Sequence, residues 1–371
     1  MNLTMAERPV LIAAGGTGGH VFPGLAVAME LIDKNVPVIW VGTERGIESR
    51  VVPEWGVPMK LIKVTSLRGR GVFSTLRSAL NLVAAITRSF HIMFTVRPRV
   101  VLGMGGYVSG PVCLAARVSG CTMMLHEQNA VAGFTNRLLK RFANRVMEAI
   151  PGTFANGQAR ENKSTSTDPV IFTGNPVRND ILQVDAPVDR MANRDAAINV
   201  LVIGGSQGAK ALNELVPAAI RQIDGDLHIR HQAGGALLET TQAAYADCGH
   251  SFEVTAFVDD MAEAYSRADL IICRAGAMTV AEVAAVGLAA ILIPYPAAVD
   301  DHQTANGRYL VDAGAAVLMQ ESDITVDKLA EQINELTSDR QRLLTMAQQG
   351  REASRRDATQ RVVEELLGEA A

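Results

Sequence analysis

Twice in this chain an apolar run ends in a cluster of glycines and gives way to a helical pattern, and this repetition constrains the fold more than any other feature. The first copy is Val10 to Ala14, then Gly15-Gly16-Thr17-Gly18-Gly19-His20, then a 3.6-residue period through Leu25, Ala28, Leu31 and Ile32, with Pro23 expected in the first helical turn. The second is Val200 to Ile203, then Gly204-Gly205-Ser206-Gln207-Gly208, then a helix from Ala209. Further strand-like runs follow the first copy at Val36 to Val41, Lys60 to Val64, Val100 to Leu102, Thr122 to His126 and Arg145 to Met147. They follow the second at Leu227 to Arg230, Phe252 to Ala256, Leu270 to Cys273, Ala290 to Ile293 and Ala315 to Met319. Strands alternating with helices predict an α/β fold, here two Rossmann-like parallel-sheet domains, and a chain of 371 residues suits two such units. The stretches Gly152 to Asp168 and Asp185 to Asp195 are polar and aperiodic and read as surface loops, so the boundary is expected between Val177 and Asn199. The expected domains are 1–178 and 179–352, with a C-terminal helix of about 353–371 packing back on the first.

Charge divides the chain as the glycine loops do. Residues 1–178 hold 20 Lys and Arg against 10 Asp and Glu, a net of +10; the remainder holds 15 against 29, a net of −14. No acidic residue occurs between Glu54 and Glu127, where Lys60, Lys63, Arg68, Arg70, Arg77, Arg88, Arg97, Arg99 and Arg117 lie. Such a stretch attracts phosphates or an anionic membrane surface. Leu67, Val72, Phe73, Leu76, Leu80, Val83 and Phe90 interleave with those arginines, a pattern that fits either a core-facing helix or one docked on a bilayer. No run reaches the ~18 apolar residues of a spanning helix, and the N-terminal run is too short for a signal peptide, so a cytoplasmic location is expected. Cys113, Cys121, Cys248 and Cys273 form no CxxC pair and read as reduced, partly buried thiols.

Glycine loops between a strand and a helix let backbone approach an anion, and the helix N-terminus adds N–H donors. A third loop, Gly103-Met104-Gly105-Gly106-Tyr107-Val108-Ser109-Gly110-Pro111, follows Val100 to Leu102. Tight turns alone are the competing explanation for any one loop. The first loop lacks the third glycine of a dinucleotide fingerprint, with Val21 in its place, and no P-loop signature exists, which disfavours nicotinamide chemistry and P-loop hydrolysis. No D-x-D stands beside a strand, so neither a metal nor any other cofactor is expected. Cys273 to Glu282 runs from a strand into a helix, so amides near Ala277 to Thr279 can hold a diphosphate and Glu282 a ribose; the alternative is a capping box of Thr279 and Glu282. Gln303 and Asn306, after Asp300-Asp301-His302, suit sugar hydroxyls and an acetamido group. His20 ends the first glycine loop and is the candidate general base, with Glu127 of His126-Glu127-Gln128-Asn129 in reserve. Asp259-Asp260 reads as the cap of the helix through Met261, Ala264 and Tyr265.

Gly15 to His20, Gly103 to Pro111, His126 to Asn129, Gly174-Asn175-Pro176-Val177-Arg178, Gly204 to Gly208 and Arg274 to Glu282 resemble, in order and spacing, the motifs of the MurG family of glycosyltransferases. The resemblance covers nearly the whole chain. It implies the two-domain GT-B architecture, with the domains facing a cleft, and a peripheral enzyme of the cytoplasmic face of the bacterial membrane that serves peptidoglycan synthesis. The implied reaction moves N-acetylglucosamine from UDP-N-acetylglucosamine to the 4-hydroxyl of the muramyl unit of lipid I, with inversion, to give lipid II. Carried over to this sequence, the donor site comprises Thr17, Gly18, Gly19, Asn129, Arg178, Ser206, Val258, Ala277, Met278, Thr279, Val280, Ala281, Glu282 and Gln303. The family's paired glutamines appear as His302-Gln303, and the acceptor diphosphate is expected at Gly105, Gly106, Tyr107 and Ser109. The first domain would take the acceptor and face the membrane; the second would take the UDP-sugar. Implied partners are the two substrates, an anionic membrane surface and other cell-wall synthesis proteins, without nucleic acid. Two other classes stay open at this point: a UDP-sugar epimerase of the same architecture, which needs no acid-free basic face, and a non-catalytic membrane scaffold, which needs no donor loops.

Overall fold

The computed structural model describes residues 7–64, 72–154, 170–192, 194, 197–205 and 208–368, with side chains omitted at 72–80 and 299. The chain divides into two units, Met1–Arg178 with Arg355–Ala371, and Asn179–Ser354.

The first unit carries seven parallel strands: β1 (Val10–Ala14), β2 (Val38–Gly42), β3 (Met59–Leu61), β4 (Val100–Gly105), β5 (Thr122–Glu127), β6 (Arg145–Glu148) and β7 (Val170–Phe172), in the order β3-β2-β1-β4-β5-β6-β7. Because both faces are covered by helices, β1 is apolar throughout and wholly buried. Its alternate residues enter two cores. Val10, Ile12 and Ala14 pack with Leu25, Trp40 and Leu102, and Leu11 and Ala13 with Val101, Val112 and Leu125. The C-terminal helix Ala358–Gly368 completes the first of these cores with Val362, Val363 and Leu366.

The second unit has six parallel strands: β8 (Ile198–Ile203), β9 (Leu227–Gln232), β10 (Ser251–Thr255), β11 (Leu270–Cys273), β12 (Ala289–Leu292) and β13 (Ala316–Leu318), in the order β10-β9-β8-β11-β12-β13. In both sheets the strand order reverses beside the first strand of the unit, between β1 and β4 and between β8 and β11. Loops leaving the carboxyl ends of two strands diverge at such a point and open a crevice, where α/β sheets hold their ligands. The glycine clusters all follow strands that flank these two points.

Three expectations are corrected. Helix Gly18–Asp33 begins inside the glycine cluster, with Thr17 as N-cap, so Pro23 lies beyond the first turn. The stretch Asp185 to Asp195 contains a helix, Pro187–Met191, whose Met191 enters the core of the second unit. β7 has no counterpart in the sequence reading, being three residues after a long polar stretch. No helix among the described residues is long and apolar enough to cross a membrane.

Candidate active site

At the first switch point a buried carboxylate shapes the glycine loop. Glu48 accepts the Gly16 N–H at 3.1 Å, the Thr43 N–H at 3.0 Å and the Thr43 hydroxyl at 2.7 Å. The loop then turns into helix Gly18–Asp33 with His20 in its first turn, half-buried. The His20 ring sits against the end of β4: a Cβ on Gly105 would come within 2.9 Å of it, and Gly105 holds φ +102°, a conformation open to glycine. Gly106 likewise has φ +77°, and a Cβ there would run into the Gly15 carbonyl. Ser109 is fully buried; its Oγ accepts the Gly105 N–H at 2.9 Å and lies 2.7 Å from the carbonyls of Ala13 and Gly105.

The end of β5 supplies a polar cluster with almost no exposure. Both oxygens of Glu127 are engaged, accepting from the Asn129 N–H (3.1 Å), Asn129 Nδ2 (3.2 Å), the Gly133 N–H (3.0 Å) and Asn136 Nδ2 (2.9 Å). Gln128 Oε1 lies 2.8 Å from His20 Nδ1, and Gln128 Nε2 lies 3.0 Å from His126 Nδ1. His126 Nε2 is 2.9 Å from the Gly174 carbonyl.

Burial pushes His126 down to about 4 from 6.5, the Gly174 carbonyl and Glu127 pulling weakly the other way. His231 on β9, set between Tyr245 and Asn213, is pushed down to about 4 for the same reason. In the unfolded chain both would take up a proton near 6.5. Stability contributed by their neutral burial is therefore complete above pH 6.5 and is lost as pH falls from 6.5 toward 4. Urea unfolding midpoints measured across that window should fall with pH; a flat profile would contradict the neutral burial of both rings.

In the second unit, β11 ends at Cys273 and two side chains brace the turn that follows. Arg274 Nη1 donates to the Ile293 and Pro294 carbonyls at 3.2 Å, and its guanidinium pairs with Glu321 and stacks over Tyr295. Asn306, fully buried, donates to the Ala275 carbonyl at 3.2 Å. Helix Ala277–Val286 starts there with Gly276 as an extended N-cap, no side-chain cap and no acidic residue in its first turn. Its other end is tied down: Arg190 donates to the Val286 and Gly287 carbonyls at 3.0 and 2.7 Å, and Arg351 to Val286 at 3.0 Å. Cations at its C-terminus and a glycine cap, which brings no side chain, at its N-terminus are features that suit the positive end of a helix dipole to an anion. One turn further in, Glu282 Oε2 accepts the hydroxyl of the buried Tyr265 at 2.9 Å.

Residues 10–148 match the glycosyltransferase family 28 N-terminal domain and residues 199–362 the C-terminal domain of that family. A protein of Alkalilimnicola ehrlichii, named UDP-N-acetylglucosamine--N-acetylmuramyl-(pentapeptide) pyrophosphoryl-undecaprenol N-acetylglucosamine transferase, is 46% identical over 364 residues, covering 98% of this chain and 99% of its own. The crystal structure of Acinetobacter baumannii MurG superposes with a TM-score of 0.82 at 42% identity, covering 97% of this chain and 99% of that one. The chain belongs to the MurG family of glycosyltransferases. A Neisseria meningitidis UDP-GlcNAc 2-epimerase, at 14% identity and a TM-score of 0.67, shares the fold alone.

Thr17, Gly18 and Gly19 form the start of the first helix, and Ala277, Met278 and Thr279 the first turn of helix Ala277–Val286, followed by Val280, Ala281 and Glu282. Asp260 caps helix Met261–Arg267 by accepting the Glu263 N–H. Arg178 stacks over Phe22, and Val258 is buried in the turn after β10. Ser206 lies outside the described residues.

Other assignments change. The capping-box alternative fails because Thr279 is the third residue of the helix and Gly276 its cap. Asn306 is committed to Ala275, so it does not read a sugar. Gln303 has its carbonyl engaged by the Tyr295 N–H at 2.9 Å, which leaves its amide nitrogen as the group for a ligand. Ser109 and the Gly105 N–H are spent on each other beneath the surface, so of the expected acceptor-diphosphate residues only Gly106 and the exposed Tyr107, in the first turn of helix Gly106–Val118, remain suited. Glu127, saturated by four donors and 1% exposed, cannot serve as the reserve base.

Three side chains that brace the candidate site are absent from the sequence expectations: Glu48, Gln128 and Tyr265. Gln128 stood inside a motif already singled out, whereas Glu48 and Tyr265 carry no local signal, since each finds its partner only through the tertiary fold. Replacing Glu282 with alanine should weaken UDP-N-acetylglucosamine binding by ~1 to 3 kcal/mol through loss of charge-assisted hydrogen bonds. Calorimetry checks this, and Tyr265→Phe, which removes one bond that holds the carboxylate, should show a smaller loss in the same direction.

Proposed function

We propose that this chain transfers N-acetylglucosamine from UDP-N-acetylglucosamine to the 4-hydroxyl of the N-acetylmuramyl unit of lipid I, with inversion, giving lipid II for peptidoglycan synthesis. The observation that carries this reading is 46% identity, over 98% of the chain, to a transferase named for that donor and acceptor. The site geometry supports it with a built place for each role. In the second unit, the first turn at Ala277 to Thr279 and Ser206 meet the diphosphate and Glu282 the ribose. In the first unit, His20 Nε2 takes the hydroxyl proton as the acceptor oxygen bonds to the anomeric carbon. The bond from that carbon to the diphosphate oxygen breaks, and its electron pair leaves with UDP. Charge growing on the leaving diphosphate is met by helix-terminal N–H groups already aligned, so it is stabilised without reorganisation.

Labelled UDP-N-acetylglucosamine mixed with a lipid I analogue should yield a β-1,4-linked disaccharide lipid. Conversion of the donor to an epimer without acceptor would establish the epimerase reading instead, and neither product would leave the scaffold.

Peripheral docking on the cytoplasmic membrane face belongs to the same proposal. Of the basic stretch Lys63 to Arg88, Leu67, Arg68 and Arg70 lie outside the described residues, as do the side chains of Val72, Phe73, Leu76, Arg77 and Leu80. Support comes from the described part of helix Val72–Val96 and from helix Gly106–Val118, which turn Val83, Phe94 and Val118 to solvent at 61%, 70% and 66% exposure. Arg88 and Arg117 are exposed on the same two helices. Attraction to anionic lipid is screened within ~8 to 10 Å at physiological salt. Changing Arg68 and Arg70 together to Glu should therefore reduce vesicle co-sedimentation and turnover of native lipid I while sparing a short-chain soluble acceptor. Co-sedimentation indifferent to charge and salt would refute electrostatic docking.

A further inference from the structure

Two backbone carbonyls, which can only accept, determine where the hydrogens lie in the cluster behind His20. The Gly174 carbonyl is 2.9 Å from His126 Nε2, so that nitrogen carries a hydrogen. His126 is fully buried and neutral, so its Nδ1 is bare and accepts from Gln128 Nε2 at 3.0 Å. The same amide nitrogen lies 3.1 Å from the His126 carbonyl, which excludes the flipped amide, since its oxygen would face a second oxygen and a lone pair. Gln128 Oε1 is thereby turned to His20 Nδ1, at 2.8 Å, and can only accept. His20 must hold its hydrogen on Nδ1.

We propose that Gln128, oriented by His126 and the Gly174 carbonyl, is a positioning residue that sets the tautomer of His20, leaving Nε2 bare to receive the acceptor's proton. The catalytic half of this inference rests on the reading of His20 as the base. A free histidine side chain favours hydrogen on Nε2, which would present a donor, not a lone pair, to the hydroxyl. The chain of hydrogen bonds imposes the other form, as the orienting partner of a catalytic histidine does elsewhere. In the step itself the O–H bond of the acceptor breaks and an N–H bond forms at Nε2. The amide of Gln128 takes no proton, so the positive charge stays on His20 and is stabilised by the Oε1 dipole until solvent removes the proton.

The test is ¹⁵N NMR of the full chain labelled at histidine nitrogens, above neutral pH, with His20 assigned by its absence in His20→Gln. Wild type should show a protonated Nδ1 and a bare Nε2 at His20. Gln128→Met removes the acceptor, so the His20 tautomer should shift toward Nε2–H while kcat falls ~10-fold or more and KM for UDP-N-acetylglucosamine holds. Hydrogen on Nε2 of wild-type His20 overturns the proposal whatever the variant does. An unchanged tautomer in folded Gln128→Met overturns it as well. Full turnover in His20→Ala would remove the catalytic half by refuting the base assignment, a result distinguishable because the wild-type spectrum reports the positioning half independently.

Discussion

Replacing His20 with alanine should lower turnover ~100-fold or more and leave the affinity for UDP-N-acetylglucosamine within a few-fold of wild type. A positioned general base contributes ~10²- to 10⁴-fold, and His20 is the imidazole at the first switch point with one ring nitrogen tied to Gln128 and the other uncommitted by any hydrogen bond in the described structure. Donor affinity should survive because the contacts expected to dominate it, the helix start at Ala277 and the Glu282 carboxylate, belong to the other unit. The split matters more than the size. A loss confined to kcat says that the histidine acts in the transition state, whereas a parallel loss of donor binding would make His20 part of the donor pocket. Steady-state rates with a soluble lipid I analogue and calorimetric titration of the donor separate the two, and turnover within a few-fold of wild type would leave the proposed mechanism without a base.

Glu127→Gln should cost ~2 to 4 kcal/mol of stability, seen as a lower melting temperature of the first unit. The carboxylate accepts four hydrogen bonds while buried, two at each oxygen; an amide in its place sets its NH2 against two of those donors, leaving both unpaired and removing the charge that strengthens the rest. The bonds lost are those that fold residues 128 to 136 back onto β5, so Gln128 and Asn129 lose their support and turnover should fall with stability. This outcome separates a structural carboxylate from a catalytic one. If Glu127 were the base, the isosteric amide would abolish turnover with the melting temperature unchanged.

Much of the architecture was legible in the residues. A fully buried parallel strand must be apolar throughout, so Val10–Ala14, Leu270–Cys273 and their neighbours announced themselves, and the glycine clusters marked where each strand turns into a helix. Pro23 misled because a proline often marks a first turn, yet here the helix starts five residues earlier, in glycines chosen for close backbone approach and not for helix propensity. Asp185 to Asp195 looked like loop because its helix is a single short turn whose Arg190 finds its purpose 96 residues away, on the Val286 carbonyl. The helix start near Ala277 was legible as well, since the strand, the glycine and the helical run are near neighbours in sequence, but that Gly276 and not Thr279 is its cap was not.

Local residue order carries the strand and helix periods, the turns, the two-unit plan and the residue types able to hold a diphosphate or take a proton. Which of those polar groups are available for chemistry depends on long-range packing. Ser109, Asn306 and Glu127 were as plausible from sequence as His20 and Glu282, but the fold commits them to backbone and side-chain partners. The physical reason is that a buried polar group must be satisfied, and its partner is set by where distant segments cross. His20 and Gln128 lie 108 positions apart in the chain and 2.8 Å apart in space, and no local pattern can announce that contact.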